Sequence, residues 1–133
     1  MKINKQKIKK LPDGELEVML IIWHADGPLS ASTILHELDG RRSWALSSLM
    51  TVLSRLSFKG FVHCQKEGRH NLYSALVSEE EYRQEESSAF FDKLYHNSLT
   101  ELVNSLYSSR SINEEDLQEL RSFLDEMERG TKQ

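Results

Sequence analysis

The chain is short of the residues that staple, kink or anchor a polypeptide. One cysteine, Cys64, excludes an intramolecular disulfide and fits a reducing cytosol. Two prolines and six glycines in 133 residues exclude collagen-like and linker-like chains. Long apolar runs are missing too: the longest, Val18 to Trp23, is far below the eighteen or so residues of a membrane span. The lysine-rich start runs into Leu11-Pro12-Asp13-Gly14 with no apolar stretch or small-residue cleavage site, so neither export nor a membrane partner is expected. Enzyme signatures are absent as well. There is no Gly-x-Ser-x-Gly elbow, phosphate-cradling glycine loop or His-Glu-x-x-His, and Cys64 has no announced base.

What remains is a globular composition, 38% hydrophobic and 29% charged, with an uneven charge. Residues 1–75 hold eleven Lys and Arg against seven Asp and Glu, a balance of +4; the remainder holds six against fourteen, a balance of −8. A polyanion can meet only the front half, and an acidic rear half implies a second task or simple solubility.

Apolar spacing organises the front half. Asp13 is placed to cap a helix over 14–24 with Leu16, Met19, Leu20 and Trp23 inward, ended by Asp26-Gly27-Pro28. Ser30 caps a second helix through Leu38 with Ile34, Leu35 and Leu38 inward. A third helix is expected over 45–59, with Leu49, Val52, Leu53 and Leu56 inward and Gly60 at the left-handed C-terminal position. The period then changes to that of strands at 61–66 and 71–77, joined by Glu67-Gly68-Arg69-His70. Three helices and a hairpin describe a winged helix over residues 1–77, in which the third helix enters the DNA major groove and the hairpin flanks the backbone.

On that helix a wheel puts Ser47, Thr51, Ser54 and Phe58 opposite the core, flanked by Ser48 and Arg55. Small hydroxyl side chains permit close approach to bases, and Arg55 offers a planar fork for guanine or phosphate; an ordinary solvated face has the same look. Arg41 and Arg42 precede the helix, Lys66, Arg69 and His70 lie on the hairpin, and Lys2, Lys5, Lys7, Lys9 and Lys10 form an N-terminal arm. Such cations serve phosphate neutralisation.

Residues 78–133 read as three further helices. Ser78-Glu79-Glu80-Glu81 is a capping box leading to Tyr82, Phe90, Phe91, Leu94 and Tyr95; Leu99, Leu102, Val103 and Leu106 mark the next helix; Leu117, Leu120, Leu124 and Met127 mark the last, from Asn113. Three apolar stripes in so short a segment cannot cover one another. Either they fold onto the front domain, or a second copy covers them across a two-fold axis, and the dimer is the favoured expectation.

The run Glu17-Val18-Met19-Leu20-Ile21-Ile22-Trp23, then Ser43-Trp44, Thr51-Val52-Leu53-Ser54-Arg55-Leu56, Lys59-Gly60-Phe61 and Leu117-Gln118-Glu119-Leu120-Arg121, resembles the bacterial penicillinase and methicillin-resistance repressors of the BlaI/MecI/CopY type, from Leu11 to Glu128. The resemblance implies a cytoplasmic homodimeric repressor, mainly α with a small β-hairpin. Its winged helix binds a palindromic operator of antibiotic-resistance or stress genes, and its C-terminal helical domain dimerises. It implies DNA contacts from Ser47, Ser48, Thr51 and Arg55, with Lys66 and Arg69 on the wing; Arg42, in the basic turn before the helix, is added to the expected DNA contacts on its charge. The dimer seam would take Phe90, Phe91, Leu94, Leu99, Leu102, Leu106, Leu117, Leu120 and Leu124.

Three departures qualify the likeness. Ala45-Leu46-Ser47-Ser48 replaces the Ser-Pro-Lys-Thr that often opens the family's recognition helix, and Met50 and Phe58 stand where relatives often carry basic residues. Members cut by a sensor protease, a further partner the family suggests, carry Asn-Phe where this chain has Asn104-Ser105-Leu106. Copper-responsive members end in Cys-x-Cys pairs, and this tail has no cysteine. His24, His36, His63, His70 and His96 show no chelating spacing, so no cofactor or metal is expected. The cation-poor helix also leaves open an interaction module that binds proteins instead of DNA. If the lysine arm supplies phosphate contacts, deleting residues 2–10 flattens the slope of log K against log salt; an unchanged slope removes the arm from the interface.

Overall fold

The computed structural model describes residues 8–39 and 43–131. The order is α1 (Asp13–Trp23), β1 (Leu29–Ser30), α2 (Ala31–Leu38), α3 (Leu46–Phe58), β2 (Val62–Glu67), β3 (His70–Ala75), α4 (Glu79–Tyr95), α5 (Leu99–Ser108) and α6 (Glu114–Thr131). The chain forms two compact units, Met1–Ser87 and Ser88–Gln133. The boundary read from the sequence, after Val77, lies inside the first unit because Tyr82 in α4 belongs to its core.

In the first unit α1, α2 and α3 enclose one core against an antiparallel sheet of order β1-β3-β2. α3 contributes Leu49, Leu53 and Leu56, α2 contributes Ile34 and Leu38, and the sheet contributes Val62 and Tyr73. The inward face of α1 differs from the expected one: Glu15, Val18, Met19 and Ile22 are buried, whereas Leu16, Leu20 and Trp23 are half-buried. Val18 to Trp23 is apolar all round, so no periodicity singles out the face, and the neighbours on several sides decide it.

The hairpin is tighter than expected. The ladder runs to Glu67 opposite His70, leaving a two-residue loop of Gly68 and Arg69. Gly68 has φ +62, the positive value that the first loop position of a type II′ turn requires. β1 was not expected; its two residues pair as Leu29 with Tyr73 and Ser30 with Leu72, too short a run to show a period.

Helix ends account for much of the chain's local order. Ser30 accepts from the Thr33 amide at 3.2 Å. Asp13 is no cap: it is the first residue of α1, after Pro12, and Pro12 makes no side-chain cap. At the end of α3 the Phe61 amide donates to Leu56 O at 2.9 Å and that of Gly60 to Ser57 O at 3.1 Å, with Gly60 at φ +83. This is a Schellman stop, and it drops Phe61 into the core beside Leu56. The capping box of α4 is formed both ways, Ser78 N to Glu81 Oε1 at 2.9 Å and Glu81 N to Ser78 Oγ at 3.0 Å. Asn113 and Asp116 form an equivalent reciprocal pair at α6. α5 ends in the same Schellman pattern as α3, but Arg110 holds the left-handed position at φ 64.

Polar ties lock the first core. Tyr82 accepts from the Leu11 amide at 2.8 Å, and its ring lies 5.6 Å from that of Trp23 and 6.0 Å from that of Phe61. Burial raises the Tyr82 phenol above its ordinary pKa, and nearby Glu86 adds to this against the opposing hydrogen bond from Leu11. Burial raises Tyr73 likewise, with Cys64 adding to it. Trp23 Nε1 donates to Val77 O at 2.8 Å, tying the end of the hairpin to α1.

Glu15 is buried in α1 and pairs with Lys59 at the end of α3. A buried carboxylate that loses its partner is costly, and Lys59 is one-third exposed, which moderates the effect. Lys59→Ala is expected to destabilise the fold by about 2–3 kcal/mol, with Glu15→Leu/Lys59→Leu recovering most of it. A neutral single variant in thermal melts refutes this.

Candidate nucleic-acid interface

α3 starts abruptly. Ala45 holds the N-cap position with no side-chain cap, where a hydroxyl or carboxylate residue would ordinarily satisfy an orphan amide. Its entry is set instead by Trp44, which is half-buried against the core and donates Nε1 toward Glu17 Oε1 at 3.4 Å.

With Leu49, Leu53 and Leu56 turned inward, the outer face of α3 is open. Ser47, Ser48, Thr51, Ser54 and Arg55 are all exposed. Ser48, Thr51 and Arg55 come together on one side, lining a shallow cleft with Trp44, Val52 and Gly14 from the start of α1. Ser47 lies outside that cleft. Thr51 Oγ1 donates to Ser47 O at 3.1 Å, so its hydroxyl hydrogen is engaged within the helix and its oxygen faces outward as an acceptor.

Lys66 sits on β2 opposite Asn71, and Arg69 occupies the hairpin turn, both exposed. Arg42 lies outside the described residues, as do Arg41, Lys2, Lys5 and Lys7. Lys10 is near Glu86 at 3.9 Å, so part of its charge is answered within the protein. Three exposed apolar side chains, Leu46, Met50 and Phe58, share α3 with the hydroxyls. Among the described residues no three His, Cys, Asp or Glu side chains gather as a metal site requires.

In the second unit no described residue is buried. Phe90, Leu94, Leu99 and Leu124 are exposed, and Phe91, Leu102, Leu106, Leu117 and Leu120 are half-buried. Phe90 packs on Tyr95 at 5.7 Å between ring centres. One groove runs between α5 and α6 through Leu99, Val103, Tyr107, Leu117 and Leu120; a second, along α6, is lined by Leu117, Leu120, Leu124 and Met127. Leu117 and Leu120 border both, so the stripes of α5 and α6 form one apolar surface. Tyr107 and Phe123 belong to the exposed apolar set and were not singled out from the sequence. Tyr107 falls next to Leu106 on the α5 stripe, and Phe123 next to Leu124 on the α6 stripe.

The fold is that of a winged helix with a helical tail. A family model described as penicillinase repressor matches residues 11–126, and the chain belongs to that family, one of repressors and not of enzymes. The penicillinase repressor of Bacillus licheniformis is 29% identical over 128 residues, covering 96% of this chain and 99% of that protein. The methicillin resistance regulatory protein MecI of Mammaliicoccus sciuri is 30% identical over 118 residues, covering 89% of this chain and 95% of that protein. Among solved structures, the DNA binding domain of the repressor BlaI superposes with a TM-score of 0.51 at 34% identity, covering 58% of this chain and 93% of that one.

Proposed function

We infer that the protein is a homodimeric DNA-binding transcriptional repressor that recognises an inverted-repeat operator in the cytoplasm. The observation that carries this reading is the outer face of α3: hydroxyl-rich, free of carboxylates and open to solvent, on a chain of the penicillinase repressor family. Ser47, Ser48, Thr51 and Arg55 meet the major groove, and Lys66 and Arg69 on the wing, with Arg42, meet phosphates. The likeness to the DNA binding domain of BlaI supports the same use of the first unit. Among the described residues no helix is long and apolar enough to cross a membrane.

The second unit supplies the pairing. Its apolar side chains are half-buried or exposed and none is fully buried, and a two-fold partner lets the same surface cover itself, through Phe90, Phe91, Leu94, Leu99, Leu102, Leu106, Leu117, Leu120 and Leu124. Pairing matters energetically because each half-site contact is modest, and joining two raises the effective concentration of the second. Should a sensor protease control the protein, its cut near Asn104-Ser105-Leu106 requires α5 to open first, because these residues lie within that helix.

A gel shift against the protein's own upstream region is expected to give a complex that weakens with salt; no complex at low salt favours the protein-binding module instead. Leu120→Glu/Leu124→Glu is expected to yield monomers by sedimentation and to weaken operator binding well over tenfold. A monomeric variant that binds equally well refutes the pairing mechanism.

A further inference from the structure

α3 is poor in the side chains that read bases by hydrogen bonds. From Leu46 to Phe58 it has no Lys, Asn, Gln, Asp or Glu, and Arg55 is its one cation. Major-groove readout uses Arg or Lys on guanine, Asn or Gln on adenine, acids on cytosine, and apolar contact with the thymine methyl. Apart from Arg55 and the adaptable hydroxyls, only the last is available here. The helix also projects apolar side chains into water: Leu46 is 53% exposed, Met50 40% and Phe58 93%. Leu46 and Met50 are four residues apart and form one strip in the first two turns, the end that helix-turn-helix proteins direct at base edges. Ser47 and Ser54 lie three before and four after Met50, so the strip is continuous with the hydroxyl face. Phe58, in the last turn, lies beyond it.

We propose that Leu46 and Met50 read the C5-methyl groups of thymines, so that each half-site is recognised largely through A·T pairs beneath the first two turns of α3. This rests on the reading of α3 as the major-groove helix. The occupant is DNA because the strip runs into that proposed interface and because no carboxylate on the helix repels phosphate. A methyl contact releases no counterions, so these two residues add affinity without adding salt dependence.

The test uses the full chain and a pool of duplexes of about 30 base pairs, roughly three helical turns, with a randomised centre. The duplex enriched by the protein is remade with deoxyuridine in place of thymidine at one position at a time, which removes the methyl and leaves every hydrogen-bonding group. Wild-type affinity is expected to fall about fourfold per contacted thymine, the loss of one buried methyl. Leu46→Ala/Met50→Ala is expected to lose that sensitivity, while its plot of log K against log salt runs parallel to wild type. Deoxyuridine duplexes that bind wild type undiminished overturn the proposal while leaving an Arg55-dependent DNA-binding reading intact. The same loss persisting in the double variant overturns it too. If the variant misfolds by circular dichroism, the deoxyuridine series on wild type decides alone. A pool that yields no preferred sequence defeats the recognition reading itself, and this proposal with it.

Discussion

The seam between α1 and α3 governs the rest of the first unit. Leu49, Leu53 and Leu56 share the core with Val18, Met19 and Ile22, and Glu15 with Lys59 fastens the far end. Three buried leucines in thirteen residues fix the rotation of α3 about its own axis, which is what frees the opposite face. The Schellman stop at Gly60 then turns the chain into β2, which begins at Val62, so a short hydrogen-bonded turn joins helix to wing. A groove-reading helix needs its rotation fixed in this way, because small displacements of its side chains spoil hydrogen bonds and methyl contacts alike.

The two units solve opposite problems. The first encloses a full apolar interior and is closed by Tyr82, whose hydroxyl and ring tie Leu11, Trp23 and Phe61 together. The second forms well-capped helices through Ser98 and the Asn113–Asp116 pair, yet buries none of its described residues fully. Local capping makes its helices, and the apolar stripes they leave half-buried or exposed are the physical basis for reading the acidic tail as a pairing device.

Much of this was legible in the residues. Ser30, Gly60 and Ser78 announce their roles because caps obey local chemistry. The amphipathic spacing of α3 showed both its inner leucines and its outer hydroxyls, because one clear stripe fixes a rotation. The facing of α1 was not legible, since Val18 to Trp23 is apolar on every side, nor was β1, whose two residues are defined only by Tyr73 and Leu72 across the sheet. The Glu15–Lys59 pair spans 44 positions, and nothing local marks a glutamate near a helix start as buried. Tyr82 reads as the first apolar residue of a tail helix, and only its reach to Leu11 reveals that the helix begins inside the first core.

The order β1-β3-β2 leaves β2 on an open border of the sheet among the described residues. Such a border is a template on which foreign strands can grow, and proteins blunt it with charge and brevity. β2 is six residues long, and beyond Val62 every residue is exposed, ending in Lys66 and Glu67. Lys66 and Glu67 therefore put charge of both signs on that border, whatever phosphate the lysine also meets, and charge of this kind is one of the means by which an open strand is kept from pairing with another chain.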